Sequence, residues 1–281
     1  MQLKGKIFII LFVGLLTGCS TTFMYNHLDW WVGWYLDDYV DLTRDQQRNF
    51  DRKFDELHQW HRDTQLNRYI VQLKQFKSQI SEGVSEEDLA EHQEKISGHW
   101  QVLMQKVAPE VAQLSLQLSK KQRESLVENI KKIRQKRIDE HENLSRKEWL
   151  AAREKEQIAD LKEWVGKLTS SQKQKVNELV NGLKSEREYW LAYRKSWQQS
   201  FFTLLTPEQL DQSYVDAFTD LMINGRKQLR SEEFLALASQ NDAITREITM
   251  HILNTLTAKQ RKKLLKKLDD LIEDLTELSE D

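Results

Sequence analysis

One cysteine, Cys19, stands in a chain of 281 residues. A single thiol rules out an intrachain disulfide and any centre built on several thiolates, so packing alone must hold the fold. Prolines number two and glycines nine, too few to punctuate a β-rich or loop-rich chain, whose turns demand these residues. Long apolar runs are also scarce. The main one covers 7–16, well short of the roughly 20 residues that cross a bilayer. No excess of positive charge exists: 42 Lys and Arg face 44 Asp and Glu, for a net −2, which excludes a general nucleic-acid binder. Only 39% of residues are hydrophobic, so each helix has enough for one buried stripe. The expected fold is therefore all-α, an elongated multi-helix bundle.

What is present begins with a leader. Lys4 and Lys6 precede the apolar stretch 7–16, and Leu16-Thr17-Gly18-Cys19 follows directly. A short basic segment and a short apolar one have the form of a secretory signal, to be left out of the fold. The last four residues form a lipobox and resemble the signals of bacterial lipoproteins. That resemblance implies cleavage between Gly18 and Cys19, a diacylglycerol thioether on Cys19 and acylation of the new amino terminus. Several acyl chains, at about 0.8 kcal/mol per buried methylene, make anchoring effectively permanent. In such lipoproteins an aspartate after the cysteine retains the protein in the inner membrane. Ser20 stands there, so the expected address is the inner leaflet of the outer membrane, facing the periplasm. The expected organisation is a signal peptide over 1–18, a lipidated tether over 19–25 and a helical domain over 26–281, with a candidate subdivision near 116. Loss of two lysines with the leader moves the net charge from −2 to −4.

The most regular pattern downstream is Leu-[Ser/Thr]-x-x-[Gln/Glu]. It occurs six times, with the hydroxyl residue at Thr43, Ser119, Ser145, Thr169, Thr206 and Thr257. Each copy is a capping box: the hydroxyl accepts from the third backbone N–H of the helix, and the Gln or Glu there reaches back to the cap N–H. In the Thr206 copy, Pro207 suits the first helical position. These caps predict nine helices, over 26–40, 43–80, 86–116, 119–143, 145–165, 169–204, 207–229, 231–256 and 258–278. Phe50, Phe54, Leu57 and His61, and likewise Leu264, Leu268, Leu271 and Leu275, recur at helical spacing. Pro109 predicts a kink or a helix restart.

The repeated Leu-Thr-x-x-Gln box resembles that of the small periplasmic chaperones of the Spy type, which implies an ATP-independent holdase acting on unfolding proteins. The segment Tyr25-Asn26-x-Leu28-Asp29-Trp30, with Tyr35-x-x-Asp38-Tyr39-Val40-x-Leu42-Thr43-x-x-Gln46 after a lipobox, resembles a family of uncharacterised Gram-negative lipoproteins over nearly the whole chain. It implies a location and no activity, and no functional residue beyond Cys19 is carried over.

Several clusters are candidate sites. Trp30, Trp31, Trp34, Tyr35 and Tyr39 crowd the segment behind Cys19. Such residues suit a bilayer interface, but the acids Asp29, Asp37 and Asp41 oppose anionic lipid, so docking of the aromatics into the core is the favoured expectation. Trp30, Trp31, Trp34, Tyr35, Asp37 and Asp38 form the candidate interaction surface, with a solvated face and a Tyr35–Tyr39 core contact as the plainer reading. His58 and His61 beside Asp55 and Glu56, and His92 with His99, have ligand-like spacing, but no second helix duplicates it, so no metal and no other cofactor is expected. Asp37 and Asp38 could act on a glycan, peptidoglycan above all, yet nucleophile elbows, phosphate loops and zinc-protease motifs are missing from the sequence, and no catalytic residue is assigned. Two basic blocks remain. The first is Lys120, Lys121, Arg123, Lys131, Lys132, Arg134, Lys136 and Arg137, and the second is Lys259, Arg261, Lys262, Lys263, Lys266 and Lys267. Either could meet phosphates or an acidic partner, with a solvated helix face favoured. The second opposes the dipole of its own helix, which prefers anions at its start. The expected function is non-enzymatic: protein binding or envelope maintenance. Its partners are the membrane, through the covalent lipid, and envelope proteins; neither nucleic acid nor a small-molecule substrate is expected.

Overall fold

The computed structural model describes residues 18–139 and 144–280. The leader over 1–17 lies outside the described residues, as do the side chains of Gly18 and Cys19. The described residues are mostly helical, with no strand among them. In chain order the helices are α1 (Gly18–Asn26), α2 (Leu28–Asp37), α3 (Arg44–Thr64), α4 (Leu66–Glu82), α5 (Glu86–Ser115), α6 (Lys120–Asp139), α7 (Arg146–Val165), α8 (Ser170–Val180), α9 (Arg187–Leu205), α10 (Gln212–Gln228), α11 (Glu232–Asn254) and α12 (Ala258–Glu280). They number twelve where nine were expected.

Each extra break has a local cause. The expected tether is helical and forms α1. The expected 43–80 helix divides at Gln65, just after Thr64, whose hydroxyl donates back to the Trp60 carbonyl, a bond that competes with the helical ladder and bends it. The expected 169–204 helix breaks over 181–186. There Asn241 accepts from the Lys184 N–H at 3.0 Å and donates to the Lys184 carbonyl at 2.8 Å. Gly182 admits the close approach of α11: a Cβ on it would meet Ile244 Cδ1 at 3.2 Å. Pro109 neither starts nor ends a helix, because α5 runs through it.

Two cores form. In the first, α4, α7, α8, α11 and α12 bury Leu66, Ile70, Val165, Val176, Ile248 and Leu268 among others. The α12 stripe Leu264, Leu268, Leu271, Leu275 and Leu278 steps by four and three and is buried along its whole length; each such side chain contributes about 1.5–3 kcal/mol relative to exposure. In the second, Ala112 of α5 packs with Phe201 and Leu205 of α9 and with Tyr214, Val215, Phe218 and Leu221 of α10, partly covered by α6. The chain visits the cores alternately, so one boundary near 116 does not separate them.

Five of the six boxes cap helices as expected. Thr43, Ser145 and Thr169 show both bonds, as do Ser119 with Gln122 and Thr257 with Gln260. Thr206 is a correction. It closes α9, donating to the Phe202 carbonyl, and α10 is capped instead by Asp211, which accepts from the Ser213 and Tyr214 N–H groups. Arg123 explains the shift. Buried beneath the 206–211 segment, its guanidinium takes the carbonyls of Leu205, Pro207 and Glu208, together with that of Leu118. Carbonyls held outward in this way cannot form the first turn of a helix.

Candidate functional site: the amino-terminal helices and their dock

The residues just behind Cys19 form the most unusual surface of the molecule. No residue of α2 is buried, which overturns the expected docking of its aromatics into the core. Trp30, Trp31, Trp34 and Tyr35 are exposed, as are Asp37 and Asp38 at the end of the helix. Tyr35 and Tyr39 do touch, hydroxyl to hydroxyl at 2.8 Å, but Tyr35 is half in solvent, so this is no core contact. Periodicity alone could not choose between the two placements. What pins the segment is the other face of α1 and the link after α2. Val40 is buried, Asn129 donates to the Tyr39 carbonyl at 3.1 Å, and Gln122 donates to the Asp41 carbonyl at 2.7 Å.

The dock of α1 is a polar cluster that the sequence did not reveal. Arg62 of α3 is buried and donates to Asn26 Oδ1 at 2.7 Å and to the Leu278 carbonyl at 2.6 Å. It thus ties α1 to the last turns of α12. Its guanidinium lies 5.2 Å from the centre of the Tyr25 ring, within cation–π range. The Tyr25 hydroxyl meets His61 Nδ1 at 2.9 Å, and His61 Nε2 meets the Tyr69 hydroxyl at 3.2 Å. One ring nitrogen donates and the other accepts, so the bridge suits a neutral imidazole. Burial holds the His61 pKa down to about 4, with His58 adding to the effect. Burial likewise lowers His58 and raises Tyr25 and Tyr69, the latter to about 12. The His58 ring lies tilted against that of Tyr25 at 4.5 Å, while its Nε2 is buried without a hydrogen bond.

A second stretch of the same seam joins α4 to α5. His99 stands edge-on to Tyr69 at 4.7 Å and donates to Gln72 Oε1 at 2.8 Å. Gln72 donates to the His92 carbonyl at 3.1 Å, and His92 Nε2 meets Gln79 Oε1 at 2.7 Å. Gln79 donates to Asp88, the acid of the Ser85 capping box. The ligand-like spacing of His61, His92 and His99 therefore serves internal hydrogen bonds, while His58 packs by its ring between Tyr25 and Phe54. No cluster of three or more His, Cys, Asp or Glu able to hold a metal occurs among the described residues.

The basic blocks are mostly engaged. Arg123 is buried, contrary to its expected place on a solvated face. Lys120 pairs with Glu208 at 2.6 Å and Lys131 with Glu128 at 2.8 Å; Lys121 and Lys132 are exposed. The side chains of Lys136 and Arg137 lie outside the described residues. In the second block, Arg261 donates to the Ile80 carbonyl, Lys263 to the Lys162 carbonyl at 3.1 Å, and Lys267 lies 3.6 Å from Glu163. Cations at the start of α12 thus sit against the carboxyl ends of α4 and α7. The negative poles of those two neighbours offset the unfavourable dipole of α12 itself.

A groove of about 580 Å3, open to solvent, runs between α9 and α10, lined by Ser196, Gln199, Ser200, Thr203, Asp220 and Gln228 among others. It brings none of the expected site residues together.

A family of unknown function, DUF6279, matches residues 38–235. The chain belongs to this family. The DUF6279 match takes in the second core and stops early in α11, so all of α1, α2 and α12 lie outside it. No curated protein matches the chain, and neither does any solved structure.

Proposed function

We propose that this DUF6279 protein is a lipid-anchored, non-enzymatic protein of the cell envelope, attached through Cys19 to the periplasmic face of the outer membrane, where its helical surface binds other envelope proteins. The observation that carries the reading is the dock of α1. The helix that begins at the lipobox is bound through Tyr25 to His61 of α3, and through Asn26 and Arg62 to the carboxyl end of α12. An acyl group on Cys19 would consequently hold the whole bundle close to the bilayer, with no long tether between them. His61, His92 and His99 are spent on internal tyrosines and glutamines, which suits a scaffold.

The test is the mass of the amino-terminal peptide from membrane-extracted protein, paired with fractionation of Cys19→Ser cells. An acylated peptide beginning at Cys19, and release of the variant from the outer-membrane fraction, are expected. An unmodified Cys19 with unchanged fractionation would overturn the anchoring. Photo-crosslinkers at Trp34, Arg134 and Lys263 then test the binding role: discrete adducts with envelope proteins are expected, and uniform labelling of abundant proteins from all three sites would remove it. A Spy-like holdase remains the alternative, which requires suppression of client aggregation at near-stoichiometric ratio.

A further inference from the structure

We propose that α1 and α2 lie along the membrane surface, with one aromatic stripe seated among the lipid headgroups. Phe23, His27, Trp30 and Trp34 recur at steps of four, three and four, which places them on one line of a nearly continuous helical segment. Across His27 the ladder is kept by bonds from His27 N–H to Phe23 O at 3.1 Å and from Trp31 N–H to His27 O at 3.3 Å. Phe23 is 61% exposed, Trp30 61% and Trp34 58%. His27 stacks on Phe23 at 4.1 Å, and Trp31 meets Trp30 edge-on at 4.9 Å. Tyr25 lies on the opposite side, against His58 and His61. One face is thus bound to the bundle and the other is left bare.

The choice of lipid as occupant rests on where this face sits. The chain before α1 ends in the apolar stretch 7–16 and the lipobox, so an apolar group arrives at the first turn of α1, about 6 Å of helical rise from Phe23. The segment from Gly18 to Asp37 is about 30 Å long, yet no helix among the described residues is long and apolar enough to cross a membrane. An exposed aromatic face beside an anchor therefore lies along the surface, where Trp and Tyr rings favour the headgroup level. Charge also speaks to the kind of lipid. No Lys or Arg occurs between Lys6 and Arg44. Of the acids, Asp29 lies close enough to His58 to act on its charge, while Asp37, Asp38 and Asp41 gather at the end distant from Cys19. The surface thus fits zwitterionic lipid and gains nothing from an anionic one.

The proposal rests on the anchoring read from Cys19, and the experiment separates the two. Full-chain protein purified from membranes is reconstituted in phosphatidylcholine vesicles with plain or brominated acyl chains, and tryptophan emission is compared. Brominated lipid should quench part of the emission, and Trp30→Phe/Trp34→Phe should shrink that quenching at least twofold, whereas Trp197→Phe in the second core should leave it unchanged. Adding phosphatidylglycerol should not increase the quenching. Both substitutions are at exposed positions, and unchanged far-ultraviolet circular dichroism verifies the fold. Quenching that is absent, or that the double variant does not alter, overturns the proposal whatever the mass of the amino-terminal peptide. A dimer in lipid-free detergent solution that the double variant dissociates overturns it too, in favour of a second copy. Quenching lost in the double variant from a chain with an unacylated Cys19 leaves the stripe standing and removes the anchor.

Discussion

Gln172 and Gln260, each the glutamine of its own capping box, are hydrogen-bonded to each other in the first core. Gln172 Nε2 donates to Gln260 Oε1 at 3.2 Å and Gln260 Nε2 to Gln172 Oε1 at 2.9 Å. Each Nε2 also reaches the carbonyl two residues before its partner's cap, Thr255 at 3.0 Å and Lys167 at 3.0 Å. Gln46 and Gln122 repeat the arrangement, with the carbonyls of Gln117 and Asp41 at 2.6 and 2.7 Å. A lone box is served as well by a carboxylate, which the helix dipole favours, and the two boxes without such a partner carry Glu148 and Asp88. Only an amide can accept from its own cap and donate across to a neighbour.

Gln260→Ala should destabilise the protein by about 1–3 kcal/mol, the cost of leaving buried groups unpaired, and the Gln172→Ala/Gln260→Ala double change should cost less than the sum of the singles. Gln260→Glu should cost at least as much as the alanine change, since a carboxylate cannot donate to Lys167. Glu148→Gln at the solitary box should stay within about 0.5 kcal/mol. Urea unfolding measures all four. A harmless Gln260→Glu would show that pairing is not why the amide is there.

Acid should loosen the dock of α1. His61 has a folded pKa of about 4 against 6.5 for the unfolded side chain, so between these values the unfolded state binds more protons and stability rises with pH. The contribution is complete above pH 6.5, declines through that window, and approaches about 3 kcal/mol at most. Unfolding followed from pH 7.5 to 4.5 should show this slope, and His61→Gln should flatten it. An unaltered slope in the variant would assign the effect to other groups.

Removal of the Arg62 guanidinium should free both ends of the chain together. In Arg62→Ala, the bonds to Asn26 and Leu278 are lost, each worth about 1.5–3 kcal/mol for a charged donor. Amide exchange over 18–26 and over the last turn of α12 should speed up at least tenfold, with α10 unchanged. Exchange confined to one of the two helices would mean that Arg62 does not couple them.

Asp211→Ala should cost about 1 kcal/mol as a lost helix cap, while Thr206→Ala should stay within about 0.5 kcal/mol. Thermal or urea unfolding separates them, and the reverse order would restore Thr206 as the cap of α10.

Much of the helical layout is legible along the chain because its signals are local. A hydroxyl, a glutamine three residues on and a leucine stripe in α12 act within a few turns, and each is found where its spacing puts it. Arg62, Arg123, Gln72 and Tyr25 carry no such signal, since each acts through a partner brought from elsewhere in the sequence. The Gln in four of the five boxes that cap helices, Gln46, Gln122, Gln172 and Gln260, was a trace of the paired caps, readable only once the pairs are known. Thr206 shows the converse: a complete local motif yields when Arg123, 83 residues earlier, takes the carbonyls around it.

The sequence alone determined that the described residues form helices and where most of those helices begin, because helix caps and apolar periodicity are short-range features. The tertiary structure alone decided which faces are left over. Burial is a competition among all helices for the same core, and in that competition Leu268 and Ile248 go inside while the large rings of Trp30 and Trp34 stay out. That outcome turns the aromatics behind Cys19 from expected core into an exposed surface.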